Sequence, residues 1–329
     1  MMMVHTNLKL IERDGEGVDP AFRDDVLKGM AQRQKAIPAR WFYDLAGSEL
    51  FERITALPEY YPTRAETALL ERHGQDIARL VGPGRAVVEF GSGSSVKTPL
   101  LLREISPAAY VPIDISGEFL RQSSEALAQA FPTLPVMPVE ADFMKTVELP
   151  AAVKAFGMLG FFPGSTIGNL VPRTAVDLLR SMRETLGDRA QLLIGVDRVK
   201  DIDRLVRAYD DTQGITARFN LNLLLRINRE LGADIPVEQF RHVARWNPDW
   251  SRIEMHLEAT RDVSFSISGC SFAMLVGETI HTENSHKYTP DQARLILQAS
   301  GWTPNAQWTD ADGDFLLVLC EASEQRSAP

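Results

Sequence analysis

The 329 residues carry 44 Asp and Glu against 35 Lys and Arg, a net charge of −9, with 44% hydrophobic and 24% charged residues. A chain of this length has room for two domains and a large core. The acidic balance argues against a nucleic-acid polymer as substrate, because phosphate binding relies on neutralisation by Lys and Arg.

Met1-Met2-Met3-Val4-His5-Thr6 lacks the basic region and apolar core of a signal peptide. Residues 19–57 carry mostly helical spacing. A βα alternation then sets in: a helix over 65–81, a strand at Val87-Val88, a helix from Thr98 and a strand at 110–113. It continues with a helix over 117–131, a strand over 135–140, a buried strand over 160–165, a helix over 173–186 and a fifth strand over 191–197. Strands separated by helices predict a parallel, doubly wound sheet. The longest uncharged stretch, 155–172, is broken by glycines and prolines and cannot be a membrane helix.

After Val199 the pattern breaks. Over 201–230 the apolar spacing is helical, whereas 253–258 and 263–267 alternate with period two, as antiparallel strands do. A helix over 291–299 and a buried strand over 315–319 resume the sheet, and the polar tail from Ser323 is expected to fray. Cys270 and Cys320 have no framework spacing, fit a reducing cytoplasm and read as small buried hydrophobes. The expected architecture is a Rossmann-like α/β core with a second, α+β domain built from the N-terminal segment and an insertion. Its divisions are 1–61, 62–199, 200–287 and 288–329, and the ligand site is expected at the junction.

The most informative segment is Val87-Val88-Glu89-Phe90-Gly91-Ser92-Gly93-Ser94-Ser95. A strand feeding a Gly-x-Gly turn lets backbone approach a ligand closely, since Gly91 and Gly93 lack Cβ. Asp114, ending the next apolar strand, is placed to accept from a ribose diol. A nicotinamide fingerprint needs a third glycine where Val96 stands, and Glu89 sits badly against phosphate. S-adenosylmethionine has no phosphate and carries an ammonium group, so the acid suits it. Asp142 is expected to receive the adenine amino group while Phe143 packs on the ring.

Substrate candidates are weaker one by one. Asn169 ends the fourth strand and offers an amide, but Asn after Gly is commonly a turn residue. Tyr60 and Tyr209 look like packing tyrosines. His281-Thr282-Glu283-Asn284-Ser285-His286-Lys287-Tyr288 is dense in polar groups. A metal held by His281, Glu283 and His286 fits no ligand spacing with a geometric reason, so no metal is expected. The remaining readings are an exposed turn, or a pocket in which Glu283 and Ser285 face a cationic or hydrogen-bond-donating side chain.

Taken together, several blocks resemble the histidine-specific Nα-methyltransferase family, which makes hercynine, the precursor of ergothioneine. They are Trp41-Phe42-Tyr43-Asp44, Glu59-Tyr60-Tyr61-Pro62-Thr63-Arg64-Ala65-Glu66, the glycine turn, and Phe162-Pro163-Gly164-Ser165-Thr166-Ile167-Gly168-Asn169-Leu170. Phe219-Asn220-Leu221-Asn222, Ile227-Asn228-Arg229-Glu230-Leu231, Thr282-Glu283-Asn284-Ser285 and Lys287-Tyr288 complete the set. The resemblance implies a class I methyltransferase core with a second domain. It also implies that Asn169 and Tyr209 hold the substrate carboxylate, with Tyr60 beside them and Tyr43 near the amino group. Glu283 and Ser285 would hold the imidazole, and the Glu-x-Ser pair favours histidine over tyrosine or tryptophan. Glu89, Gly91, Ser92, Gly93, Lys97, Asp114, Asp142 and Phe143 form the expected cofactor site; Val96 before Lys97 departs from the Arg-Lys that some relatives carry.

The implied reaction is three successive displacements at a sulfonium methyl by the α-nitrogen of a free amino acid. Only a neutral amine has the lone pair to attack, and desolvation depresses an amine's pKa. Tyr43 or a water is the expected proton relay, and alignment of nitrogen, carbon and sulfur the expected main source of rate. A cytoplasmic monomer with no nucleic-acid or membrane partner completes the expectation.

Overall fold

The structure is a computed structural model that describes residues 19–93 and 97–323. The start at 1–6, the Ser94-Ser95-Val96 part of the glycine turn and the tail beyond Ser323 lie outside the described residues. Helix α1 (Pro20–Met30) starts at Asp19, whose carboxylate caps the amides of Ala21 and Phe22, with proline at the first helical position. A two-residue strand β1 (Lys35–Ala36) and a 3-10 turn (Ala39–Phe42) lead to α2 (Leu45–Thr55), capped by Asp44.

The core then alternates helix and strand: α3 (Tyr61–Val81), β2 (Ala86–Phe90), α4 (Thr98–Ile105), β3 (Ala109–Asp114), α5 (Gly117–Ala130), β4 (Val139–Glu140), β5 (Met158–Phe162), α6 (Pro172–Leu186) and β6 (Gln191–Asp197). The insertion follows with α7 (Ile202–Arg207), α8 (Ile215–Leu231), β7 (Phe240–Asn247), β8 (Arg252–Ala259), β9 (Val263–Ile267), β10 (Cys270–Met274) and β11 (Thr279–His286). The chain returns to the core through α9 (Pro290–Ala299), β12 (Trp302–Thr309) and β13 (Phe315–Ala322).

Seven strands form one sheet in the order β12-β13-β6-β5-β2-β3-β4. Strands β2 to β6 pair in parallel, and β13 runs antiparallel to both β6 and β12. This is the strand order of a class I methyltransferase. Every residue of β2, β5 and β6 is buried, because helices cover both faces and two apolar cores flank the sheet. Strand order reverses at β2, which has β3 on one side and β5 on the other, so the carboxyl ends of these strands border a crevice.

A second sheet, β1-β11-β8-β7, packs on α8. Phe219, Leu223 and Ile227 of that helix share a core with Ile253, Met255 and Leu257 of β8 and with Phe22 and Phe42 of the N-terminal segment. Asn220 pins this layer, donating to the carbonyl of His256 at 3.0 Å and accepting from Thr282 Oγ at 2.8 Å.

Several expectations change. The 281–288 segment is not an exposed turn: most of it is strand β11, in the interior of its sheet between β1 and β8. Thr282, Ser285, His286 and Lys287 are held by partners remote in sequence. The strand expected over 135–140 shrinks to Val139–Glu140 plus a bridge at Val136, since Pro135 and Pro138 have no amide to donate. The helical stretch over 201–230 divides into α7 and α8, with Gly214 in the left-handed region before α8. Strand β8 pairs with β7 and β11, and β9 pairs with β10; β7, β10 and β12 carry too few strand signals to be legible. Cys320 is buried as expected, but Cys270 lies exposed on the two-stranded β9-β10 ribbon. The first division, at 61/62, falls within the first turn of α3. No helix among the described residues is long and apolar enough to cross a membrane.

Candidate active site

A cavity of about 830 Å³ lies at the carboxyl ends of the core strands. Its wall draws on the glycine turn, β3 and the 3-10 turn Thr166–Asn169 from the core, and on Tyr43, Tyr60 and β11 from the second layer. Ligand sites of this size are commonly built where two layers meet.

One end of the cavity is walled by the glycine turn, Asp114, Asp142 and Phe143. Gly91 and Gly93 have φ of 73° and 49°, a region open to glycine at no steric cost. A Cβ on Gly91 would lie 3.3 Å from the Phe143 ring, so the turn and that ring are in close contact. Asp114 accepts from the amide of Gly93 at 3.0 Å and from that of Ser116 at 2.9 Å. Each carboxylate oxygen keeps a lone pair, which fits a diol. Burial raises the Asp114 pKa, opposed by the amides that bond to it.

Three further acids hold this end together. Glu89 reaches the cavity wall but spends Oε2 on Thr98 Oγ at 2.7 Å and Tyr110 OH at 2.5 Å, joining β2, α4 and β3. Burial pushes it up to about 7, offset by those two bonds and by Lys97. Lys97 pairs with Glu66, which is fully buried and also accepts from the amide of Gly164 at 2.9 Å. Asp142 accepts from Arg40 at 3.2 Å and from the amide of Met144 at 3.0 Å. The residues present therefore fit S-adenosylmethionine: an acceptor pair at Asp114, a close backbone turn, an aromatic ring and a cation.

At the other end Tyr43, Tyr60, Asn169 and Glu283 all line the cavity. Burial raises the Tyr43 pKa well above its ordinary value, and Glu283, Tyr60 and Asp114 add to the effect. Tyr43 thus lies within electrostatic reach of both ends of the cavity, as a neutral phenol. Burial also pushes the Glu283 carboxyl up to about 7, with only the charge of Lys287 pulling it back. Asn169 sits on a 3-10 turn that is doubly anchored. Ser165 Oγ accepts from the amide of Asp197 at 2.9 Å, and a Cβ on Gly168 would meet the carbonyl oxygen of His286 at 2.9 Å.

Tyr209 and Ser285 are not on the cavity wall. Both are buried, 7% and 3% exposed, and their oxygens lie 2.6 Å apart. Tyr209 packs edge-on against Tyr60, which does line the cavity, with ring centroids at 6.1 Å. What draws the two hydroxyls inward is Lys287, whose ammonium also binds Asp197 at the end of β6. Asp197 in turn takes Tyr61 OH and Lys200. Sequence reasoning missed this cluster, along with Glu66 and Arg40. Asp197 had a signal, as an acid ending a predicted strand; Lys287 had none beyond its block.

His281, Glu283 and His286 do not form a ligand set. His281 Nε2 contacts the carbonyl of Glu283 and His286 Nδ1 that of Trp250. Among the described residues, Glu254, His256 and His281 do bring ligand atoms within 4.8 Å of one another, but Glu254 is taken up by Arg252 and Asn247.

Residues 22–322 match the family model described as histidine-specific methyltransferase, SAM-dependent. The chain is 40% identical over 306 residues to the histidine N-alpha-methyltransferase of Mycolicibacterium smegmatis, covering 91% of this chain and 94% of that protein. Identity to the histidine N-alpha-methyltransferase of Mycobacterium tuberculosis is also 40%, with the same coverage. Against the L-tryptophan methyltransferase of Psilocybe serbica it falls to 25%, over 94% of this chain and 96% of that protein.

Proposed function

Since the chain belongs to the histidine-specific, S-adenosylmethionine-dependent methyltransferases, we infer that it methylates the α-amino group of L-histidine, in ergothioneine biosynthesis. The product we propose is the trimethylated betaine, hercynine. One observation carries the reading. A single cavity has Asp114 and the glycine turn on its wall together with Glu283 and Asn169, so a nucleoside donor and a small amino acid fit side by side.

S-adenosylmethionine supplies a methyl group on a sulfonium, which departs as a neutral thioether. Everything else falls to the chain. We assign the ribose to Asp114, the adenine to Asp142 and Phe143, and the rest of the donor to Glu89, Gly91, Ser92, Gly93 and Lys97. We assign the substrate carboxylate to Asn169 with Tyr60 beside it, Tyr209 backing Tyr60 from behind the wall, and the imidazole to Glu283, with Ser285 behind it. Tyr43 stands near the amine. Because it is a neutral phenol, it accepts the amine's proton only by passing on its own. Burial of the amine favours its neutral, attacking form, and the fixed pocket supplies alignment.

We propose further that the chain forms two domains divided as the sequence suggests, and that it works as a monomer in the reducing cytoplasm. Two free cysteines support the compartment.

The test is incubation with S-adenosylmethionine and an equimolar mixture of the common amino acids, read by mass spectrometry. Histidine gaining three methyl groups is the expected outcome. Another amino acid gaining them would overturn the Glu283 and Ser285 assignment while leaving the reaction class standing.

A further inference from the structure

Strand β11 changes face partway along its length. His281 pairs with His256 of β8, and Glu283 pairs with the next residue of that strand, Met255, so Thr282 has no partner and forms a bulge. Residues directly opposite one another in a sheet share a face, as do residues two apart on a regular strand. His281 lies with His256 on the face away from α8, their rings stacked with centroids 4.6 Å apart. Glu283 instead shares the face of Met255, which belongs to the core that α8 covers. Without the bulge Glu283 would stand opposite Glu254 and follow His281 to the far face, because a slip of one residue reverses every side chain beyond it. With the bulge it lines the cavity, and its charge helps to raise the phenols of Tyr43 and Tyr60.

A bulge interrupts the ladder, and its backbone groups need partners from elsewhere. The carbonyl of Glu283 accepts from His281 Nε2 at 3.0 Å. The hydroxyl of Thr282 has one hydrogen and two acceptors in reach, Asn220 Oδ1 at 2.8 Å and the carbonyl of Met255 at 3.1 Å. The Asn220 amide has only one workable orientation. Its nitrogen donates to the carbonyl of His256 at 3.0 Å and to His242 Nδ1 at 2.8 Å, so its oxygen must face Thr282. His242 then carries its hydrogen on Nε2 and donates to the carbonyl of Tyr209 at 2.8 Å. Burial lowers the His242 pKa and so favours this neutral form. Asn220 and Thr282 are 0% and 1% exposed, so no water takes over a bond that either loses.

We propose that Thr282 is a specificity-positioning residue: its hydroxyl, held by Asn220, keeps β11 bulged at this point and so turns the Glu283 carboxyl into the cavity, toward the substrate's side-chain ring. This role deepens the assignment of the imidazole to Glu283 and rests on it. Thr282 spends its own hydrogen inside the fold and acts through its neighbour. Beyond the bulge, Lys287 is anchored on Asp197, which resists a slip of the whole strand. Loss of the hydroxyl therefore displaces the carboxyl without carrying it to the far face.

The experiment is a double-mutant cycle on the full chain, read as the histidine Kd by calorimetric titration with S-adenosylhomocysteine bound, so that no turnover occurs. Thr282→Val keeps the shape and removes the hydroxyl. It is expected to raise the histidine Kd about tenfold, the effect of a lost buried hydrogen bond, while the S-adenosylhomocysteine Kd stays within about twofold. Thr282→Ser keeps the hydroxyl and is expected to bring the histidine Kd back to within about threefold of the unaltered protein. In a Glu283→Ala background, Thr282→Val is expected to add no more than about twofold, because residues that act as a unit are not additive. If Glu283→Ala leaves the histidine Kd unmoved, the underlying assignment of the imidazole falls. If Glu283→Ala raises it while Thr282→Val does not, or if the two effects multiply in the double variant, the role of Thr282 alone is overturned. Should Thr282→Val fail to fold, Thr282→Ala takes its place in the cycle, compared with Thr282→Ser so that only the hydroxyl differs.

Discussion

Arg40 donates to Asp142 at 3.2 Å and to Asp25 at 2.7 Å, so a guanidinium from the N-terminal segment spans α1 and the core loop beyond β4. One end of this bridge is the acid assigned to adenine. Its partners are about one-third exposed, and exposed pairs contribute only about 0.2–1 kcal/mol to stability. Arg40→Ala is therefore expected to lower the melting temperature slightly while raising the Kd for S-adenosylmethionine about threefold to tenfold, through a carboxylate that is no longer held in place. Calorimetric titration beside a thermal scan checks it; a lower melting temperature with unaltered affinity would leave the bridge a purely structural contact.

Asp114 bonds two backbone amides of the cofactor turn at once. Hydrogen bonds to a charged group are each worth about 1.5–3 kcal/mol, so Asp114→Ala should weaken S-adenosylmethionine binding by at least about tenfold. Asp114→Asn retains one acceptor and is expected to fall between. Retained affinity in the alanine variant would remove the ribose assignment.

Glu283 connects stability with pH. Its carboxyl titrates near 7 in the folded protein, against an ordinary value of 4.5. The unfolded chain therefore gives up its proton first. The contribution of the protonated group is complete below about 4.5 and is lost as pH rises to 7. Glu283→Gln is expected to melt higher than the parent at pH 8, the gap narrowing toward pH 5, while its histidine KM rises sharply. Melting curves with no pH-dependent gap would place the carboxyl in water.

Asp197 accepts from Lys287, Lys200 and Tyr61 in the interior. Burial opposes its ionisation, but the two lysines prevail and hold it below the usual carboxylate range. Removing one partner of a buried pair leaves an uncompensated charge and costs about 3–5 kcal/mol. Asp197→Ala should show that loss in denaturant unfolding; a loss below 1 kcal/mol, the range of exposed pairs, would mean that water reaches the lysines.

Gly168 touches β11 where a side chain has no room. A Cβ would lie 2.9 Å from the carbonyl oxygen of His286 and 3.2 Å from its nitrogen, and backbone in a sheet does not yield. Gly168→Ala is expected to cost about 1–3 kcal/mol and to shift the turn that carries Asn169. Histidine KM should rise more than S-adenosylmethionine Kd, and steady-state kinetics with both substrates varied would reveal the opposite order if the turn served the cofactor instead.

The core was legible because its signals are local. An apolar run, a Gly-x-Gly turn and the strand-end acid Asp114 sit close together in the chain, and the geometry of a strand and its turn brings them to one ligand without help from elsewhere. The βα alternation was legible for the same reason, since a strand buried on both faces needs apolar residues at every position. The 281–288 segment was not, because its strand nature depends on β8 and β1 lying on either side. A polar run reads as a turn until partners for those groups are known.

What the sequence by itself determined is thus the class I core, the donor it takes and, through a resemblance spread over several blocks, the amino acid it acts on. Tertiary structure alone decided how the buried polar cluster behind the cavity is wired. Lys287 meets Asp197 across 90 positions and Tyr209 across 78, and Arg40 meets Asp142 across 102. Periodicity reports which face of an element turns inward. It is blind to which buried ammonium faces which hydroxyl, because that is set by where the chain returns to its own core.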